Sequence, residues 1–427
     1  MIFHIDANSF YASCERIFRP DLEGKAIAVL SNNDEIIIAL NRECKNQGFK
    51  RGDRYCEVKN LFRAKDVRVF SSNYTLYADI SSRLNRVYGE FSEQVEIYSI
   101  DESFLFLPDY GNSFYMETAC RIQSRIFQEI HIPVSIGVAP TKTLAKLCNK
   151  LAKQNTGIFI WDKVAGKEIL KDCPVKDIWG IGLQRALVLH RNRIYTAGDL
   201  VNQPLDKIKK LLTITGITTW QELRGIPGHI NGGFFVKREK HKNITCSKSF
   251  GKKTEALVSL EAALADFTVT AFLRMKREGQ KCGGVGVYIT TGKNFVDGVE
   301  MPPYRCFEKT VFSFPADYFP FILNSALDIL RKIYRPGFRY KKVMIILLDL
   351  QDSKEGNLLF EDREKIEKKE KENSLMGVFD ALNAKYGRGT LAMGVNMLNY
   401  SGGRTAMRRD FLSPEYTTDI NQIPSVY

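Results

Sequence analysis

Three carboxylates stand where the hydropathy pattern calls for buried strand, and they restrict the folds open to this chain more than any other feature. MIFHID reads as a short apolar strand that runs straight into Asp6. Much later, QVEIYSIDESFLFLP reads as two strands around the adjacent pair Asp101 and Glu102. A charge taken out of water is costly unless something compensates it. Divalent metals do so: hard oxygen ligands suit Mg²⁺. Two ions about 3.5–4 Å apart can activate a hydroxyl nucleophile and stabilise a leaving pyrophosphate. The pattern carries one tension. Neighbours on a regular strand point to opposite faces, so Asp101 and Glu102 share a site only if the pleat breaks there. Ser99 and Ser103 flank the pair, and no Gly or Pro marks a turn.

Around these acids, strands and helices alternate. SFYASCERIF reads as a helix, KAIAVLS and EIIIALN as strands, and residues 34–71 as a compact, Gly-punctuated stretch. YTLYADISSRLNRVYGEF and SFYMETACRIQSRIFQEI have helical apolar spacing. PVSIGVAP is a strand ended by Pro140, and TKTLAKLCNKLAKQ is a basic helix. From 166 the pattern turns to short helices. Residues 244–350 return to a βαββαβ-like order, a second α+β domain. The fold class is α+β, multidomain.

Charge separates the two ends. Residues 1–110 hold 14 Lys/Arg against 17 Asp/Glu, whereas 237–345 hold 20 against 10, within a chain of net charge +13. The first suits a metal-using carboxylate site and the second a phosphate-gripping surface. Nine scattered cysteines with no C-x-x-C pair argue against a zinc ribbon or a disulfide framework. The N-terminus lacks a signal peptide's basic region, and no apolar run approaches a membrane span. A cytoplasmic protein is expected.

DANSFYASCE (6–15), SSNYTLYADIS (71–81), YSIDES (98–103), GVAPTKTLAK (137–146) and DIWGIG (177–182) fall in the order and spacing of Y-family DNA polymerases. With LNAKYGRGTL (382–391) and LSPEYTT (412–418), the chain most resembles the UmuC-type subgroup, the catalytic subunit of bacterial translesion polymerase V. The resemblance implies a right-hand polymerase: palm at 1–20 and 72–165, small fingers at 21–71, helix-hairpin-helix thumb at 166–234, linker at 235–243, little finger at 244–350, and a clamp- and partner-binding tail at 351–427. It implies error-prone synthesis past damaged bases in the SOS response, without proofreading. Asp6, Asp101, Glu102 and the Ala7 carbonyl would hold two Mg²⁺ ions, with Mn²⁺ able to replace them. Phe10 and Tyr11 would contact the nucleotide, Tyr11 as the steric gate against a 2′-hydroxyl. Lys45 and Lys153 would meet the triphosphate; Lys45 stands where many members have Arg, and Arg42 where many have Tyr.

In WGIGLQRAL, Gly180 and Gly182 would allow a tight turn whose amides cradle a DNA phosphate. Lys252, Lys253, Arg274, Lys276 and Arg277 would add contacts to primer–template DNA. GNLLFED (356–362) resembles the family's sliding-clamp peptide through Leu358, Leu359 and Phe360, with Gly356 in place of the usual Gln. Further partners implied are dNTP, a processed UmuD-type dimer and the RecA filament, in a bacterial, nucleoid-associated setting. Competing readings are a palm-type nucleotide cyclase, which needs no basic domain downstream, and an inert DNA-binding scaffold, which has no use for three retained carboxylates.

Overall fold

The computed structural model describes residues 1–228, 242–292, 294–296, 299–352 and 408–423, with scattered residues between 374 and 391. The chain divides into two compact units, Met1–Val236 with Asp410–Tyr427, and Lys237–Arg409.

The first unit opens on β1 (Ile2–Ala7), buried at every position except Asp6, which is intermediate. Helix α1 (Phe10–Ile17) follows, then β2 (Ile27–Leu30), β3 (Ile37–Leu40), α2 (Arg42–Asn46), α3 (Tyr55–Ala64) and β4 (Arg68–Ser71). These three strands make a small sheet, ordered β3-β2-β4, over a core that includes Leu30, Phe49 and Phe62. Then come α4 (Tyr74–Gly89), β5 (Val95–Ile97), β6 (Glu102–Phe106), α5 (Asn112–Ile130), β7 (Val134–Ala139), α6 (Lys142–Ala152) and β8 (Ile158–Ile160). The main sheet is ordered β5-β6-β1-β7-β8, with β1 antiparallel to both neighbours.

Alternation along β1 explains why it must lie at the centre. Phe3, Ile5 and Ala7 join a core with Tyr77, Leu84 and Ile122 from α4 and α5. Ile2 joins a different core with Phe104 and the α6 residues Leu144 and Cys148. With side chains alternating between faces, His4 and Asp6 share the α6 side. That helix lies close to the sheet: a Cβ on Gly137 would sit 2.2 Å from the Ala145 carbonyl oxygen. Thr141 caps α6 by accepting from the Leu144 amide. Beyond β8, α7 (Lys163–Asp172), α8 (Leu183–Arg191), α9 (Ala197–Val201), α10 (Leu205–Leu211) and α11 (Ile214–Leu223) share the core of Leu170, Leu189, Leu200 and Trp220.

The second unit follows the expected order: β9 (Ile244–Thr254), α12 (Leu257–Arg277), β10 (Gln280–Thr290), the ribbon β11 (Asn294–Val296) and β12 (Val299–Met301), β13 (Arg305–Ala316), α13 (Phe319–Ile333) and β14 (Tyr340–Asp352). Its four-stranded sheet is antiparallel throughout, ordered β13-β10-β14-β9. Leu264, Phe272 and Leu330 of the two helices pack on Val285, Val287 and Ile345 of the sheet.

The tail departs from expectation. Residues 351–427 read as one terminal segment, yet Asp410–Tyr427 belongs to the first unit. The Ser71 amide donates to the Phe411 carbonyl at 2.9 Å, and Tyr416 stacks on Phe18 at 4.6 Å. Aromatic burial brings this stretch back. Most of the 235–243 linker and the peptide with Leu358, Leu359 and Phe360 lie outside the described residues. Among the described residues, no helix is long and apolar enough to cross a membrane.

Candidate active site

The pleat does break at the acidic pair. β5 ends at Ile97, β6 begins at Glu102, and Asp101 lies in the turn between them. Ser99 builds that turn in place of a glycine. Its amide donates to the Glu102 carbonyl at 3.0 Å, and its hydroxyl accepts the Glu102 amide at 3.1 Å and donates to Asp101 Oδ1 at 2.6 Å. Asp6 pairs in register with Glu102, and the Ala7 amide donates to the Asp101 carbonyl at 2.9 Å. Asp6, Ala7, Asp101 and Glu102 thus meet at one end of two adjoining strands.

Helix α6 lays a row of lysines against this end. Lys142 Nζ lies 2.6 Å from Glu96, Lys146 Nζ 2.9 Å from Glu102, and Lys153 Nζ, just past the helix, 2.7 Å from Asp6. The basic character of TKTLAKLCNKLAKQ was legible; that Lys146 faces Glu102 was not. Burial pushes Asp6 up to about 6; Lys153 opposes the rise, while Glu102 and Asp101 add to it. Burial acts the same way on Glu102, yet His4 and Lys146 outweigh it and hold that carboxyl at about 2. Lys146 is the effective partner. His4 Nε2 is 3.6 Å from Glu102, too far for a good hydrogen bond, and burial lowers the His4 pKa towards a neutral ring.

The donors suit a hard divalent cation: three carboxylates and a main-chain carbonyl, all oxygen. Crowded acids that raise one another's pKa are what such an ion relieves. In this structure Asp6 turns to Lys153, Glu102 to Lys146 and Asp101 to Ser99. Among the described residues, no three His, Cys, Asp or Glu side chains converge on one ligating point.

Tyr11 stands beside this site, half-buried on α1, its ring stacked on Tyr77 at 4.5 Å and edge-on to Tyr74 at 5.9 Å. The charge of Asp101 acts on its hydroxyl, and so does that of Arg51, a cation the sequence reading passed over. Phe10, expected at the nucleotide, buries its ring in the core and opens α1, whose first amides have no side-chain cap. Arg42 and Lys45 are exposed on α2.

The two glycines of the helix-hairpin-helix differ. Gly180 has φ +88°, a left-handed conformation only glycine adopts readily, and a Cβ there would meet Thr219 Oγ1 at 2.6 Å. Gly182 has φ −78° and open space around it, so the turn does not need its freedom. It begins α8 without a side-chain cap, which leaves the first amides of that helix open to a phosphate.

In the second unit the predicted cations fall into two groups. Lys252 and Lys253 lie on β9, where burial and the charges of Arg339 and Lys341 lower the Lys253 pKa. Arg274, Lys276 and Arg277 end α12. Arg274 is held by Glu278 at 3.1 Å, and Lys276 lies 3.7 Å from Asp317. Arg339 and Lys341 were missed because they adjoin Lys253 only across the β9–β14 pairing.

Comparison with known proteins fits this geometry. Residues 5–150 match the impB/mucB/samB family, 241–358 its C-terminal domain, and 373–426 a domain of unknown function, DUF4113. Protein UmuC of Salmonella typhimurium is 36% identical over 98% of both chains, and Protein MucB of Escherichia coli 33% over 98% of both. A DNA polymerase IV of Oceanobacillus iheyensis is 27% identical over 96% of both. Among solved structures, a Dbh–Dpo4–Dbh chimera of Y-family DNA polymerase superimposes with TM-score 0.65 at 18% identity, covering 82% of this chain and 99% of that one. Whole-length likeness to UmuC and MucB, with both family domains in place, puts this chain in the impB/mucB/samB family.

Proposed function

We propose that this chain is a template-directed DNA polymerase that carries out error-prone synthesis past damaged bases in the bacterial SOS response. The observation that carries the reading is the register of Asp6 with Glu102, beside a turn that presents Asp101. Asp6, Asp101, Glu102 and the Ala7 carbonyl would hold two Mg²⁺ ions, or Mn²⁺ in their place. Such ions supply activation of the primer 3′-hydroxyl and charge neutralisation at the leaving pyrophosphate. Lys153, its side chain 41% exposed beside Asp6, and Lys45 meet the triphosphate. Tyr11 closes the floor of the sugar pocket against ribonucleotides. Nothing in the chain resembles an exonuclease, so errors stay in the product. Relatives matching through both family domains leave the cyclase and inert-scaffold readings without support.

In this reading the main sheet is the palm, 21–71 the fingers, 166–234 the thumb and 244–350 the little finger. The protein works in the bacterial cytoplasm at the nucleoid, with a processed UmuD-type dimer, RecA and the sliding clamp. Primer extension on undamaged and abasic templates, with and without those partners, tests the whole. No extension under any of these conditions sinks it.

DNA binding should be electrostatic and indifferent to sequence. Log affinity should fall with log salt by about 0.9 per neutralised phosphate. Replacing Lys252, Lys253 and Lys341 by alanine should flatten that slope by about 1–3 units. A salt-independent affinity, or strong preference for one duplex sequence, rules this out.

The clamp peptide should act through Leu359 and Phe360, apolar anchors worth about 1.5–3 kcal/mol each when buried in a partner. Gly356 lacks a side chain to hydrogen-bond and adds backbone freedom lost on binding. Alanine at both anchors should remove clamp-stimulated synthesis and leave clamp-free single-nucleotide addition unchanged; Gly356→Gln should tighten clamp binding. Undiminished stimulation of the double variant places the contact elsewhere.

A further inference from the structure

Behind Tyr11 runs a buried chain of contacts that ends on the C-terminal segment. Tyr77, fully buried, lies parallel to the Tyr11 ring, with an interplanar angle of 15°. Its hydroxyl donates to Glu15 Oε1 at 2.5 Å. Glu15 is also fully buried. Burial lifts its carboxyl to about 7, and the hydrogen bond from Tyr77 draws it back. Ser413 accepts from Asn73 Nδ2 at its own hydroxyl, 3.0 Å, and at its carbonyl, 3.2 Å. Glu15 Oε2 is buried without a hydrogen-bond partner, so the contact that fixes Ser413 is the one to Asn73. The Asn73 side chain also caps α4, accepting from the Leu76 amide at 3.2 Å, and Tyr77 lies in the first turn of that helix. One asparagine therefore fixes both the start of the helix that carries Tyr77 and the segment that carries Ser413.

The segment is pinned on either side of Ser413. The Asp410 amide donates to Asp34 Oδ2 at 2.8 Å, the Phe411 amide donates to Ser71 Oγ at 3.0 Å, and Tyr416 stacks on Phe18. These contacts hold the segment in place, and Asn73 ties it to the first turn of the helix that carries Tyr77.

We propose that residues 410–416 position the nucleotide site for sugar discrimination: Ser413 holds Asn73, Asn73 fixes the start of the helix that carries Tyr77, and Tyr77, anchored on Glu15, sets the ring of Tyr11. The inference rests on reading Tyr11 as the gate. A gate excludes a 2′-hydroxyl only while its ring stays within about 0.5 Å of its place, which requires support from behind. Tyr77 and Ser413 are positioning residues; neither touches the nucleotide.

Single-nucleotide incorporation by the full-length protein tests this, with kcat/KM measured for a dNTP and its rNTP alongside the thermal midpoint. Losing one net hydrogen bond should let Tyr77→Phe and Ser413→Ala each raise the rNTP-to-dNTP ratio about fivefold. Because both act through one ring, the double variant should exceed neither single by more than about twofold. Ser413→Thr, which keeps the hydroxyl, should restore the wild-type ratio. Tyr77→Phe removes one oxygen and keeps the stack, so it stays folded even where Ser413→Ala lowers the yield. If Tyr11→Ala relaxes discrimination while the other two keep the wild-type ratio, or slow both nucleotides alike, the segment is scaffolding only and the proposal is overturned. If Tyr11→Ala itself leaves the ratio unchanged, the gate reading has failed, and this proposal with it.

Discussion

Asp101→Ala should leave less than about one-thousandth of the wild-type primer-extension rate, because it removes a metal-binding oxygen where charge develops in the transition state. Asp101 is the best of the three acids for this test. It lies in the β5–β6 turn, and the contact it gives β1 is its main-chain carbonyl, which accepts the Ala7 amide and which alanine keeps. Its side chain is held by the Ser99 hydroxyl, which still accepts the Glu102 amide after the change. Asp6 and Glu102 are poorer choices. Each sits against a lysine at 2.7 and 2.9 Å respectively, so their removal strands a cation and mixes a folding effect with the chemical one. DNA affinity should hold or rise, since a negative charge near phosphate is gone. Extension by Asp101→Ala within tenfold of wild type, read on a protein that still binds primer–template, would falsify the metal-ligand assignment.

Tyr11→Ala should raise ribonucleotide incorporation on the order of a hundredfold relative to deoxyribonucleotide, since the discrimination is a steric exclusion rather than an attraction. The ring is half-buried and stacks on Tyr77, so truncation should lower stability by about 1–2 kcal/mol, not unfold the protein. Tyr11→Phe separates sterics from hydrogen bonding: it keeps the ring and should keep the exclusion. Unchanged discrimination in Tyr11→Ala assigns the gate to another side chain.

The strands and helices were legible because each announces itself locally. YTLYADISSRLNRVYGEF carries its own helical spacing, and the βαββαβ order of the second unit is written in consecutive patterns. The carboxylates were legible for the opposite reason: acids at the ends of apolar strands violate the local pattern. What sequence could not resolve was how the pleat breaks between Asp101 and Glu102. Ser99 does the work expected of a glycine, by hydrogen bonding rather than by an unusual φ, and a serine is too common in every setting to announce this role. Gly180 and Gly182 looked equivalent, yet only the first has a backbone conformation that requires glycine. Lys146 and Arg51 stayed hidden because their partners are tertiary. LSPEYTT was visible as a motif, but nothing nearby said that it would close on Asn73, 340 residues away.

That distance has a consequence for how the protein is born. A ribosome adding about 5–20 residues per second needs tens of seconds to pass from Asn73 to Ser413. Through that interval the second unit emerges while Glu15 and Tyr77, already synthesised, still lack the segment that covers them. The N-terminal unit therefore cannot be finished vectorially; its final contacts form only after the second unit has been made. A transcript cut short after the second unit would yield a chain with all three carboxylates but without the contacts of Phe411, Ser413 and Tyr416, so for this enzyme the integrity of the message is read out in the last stretch of its first domain.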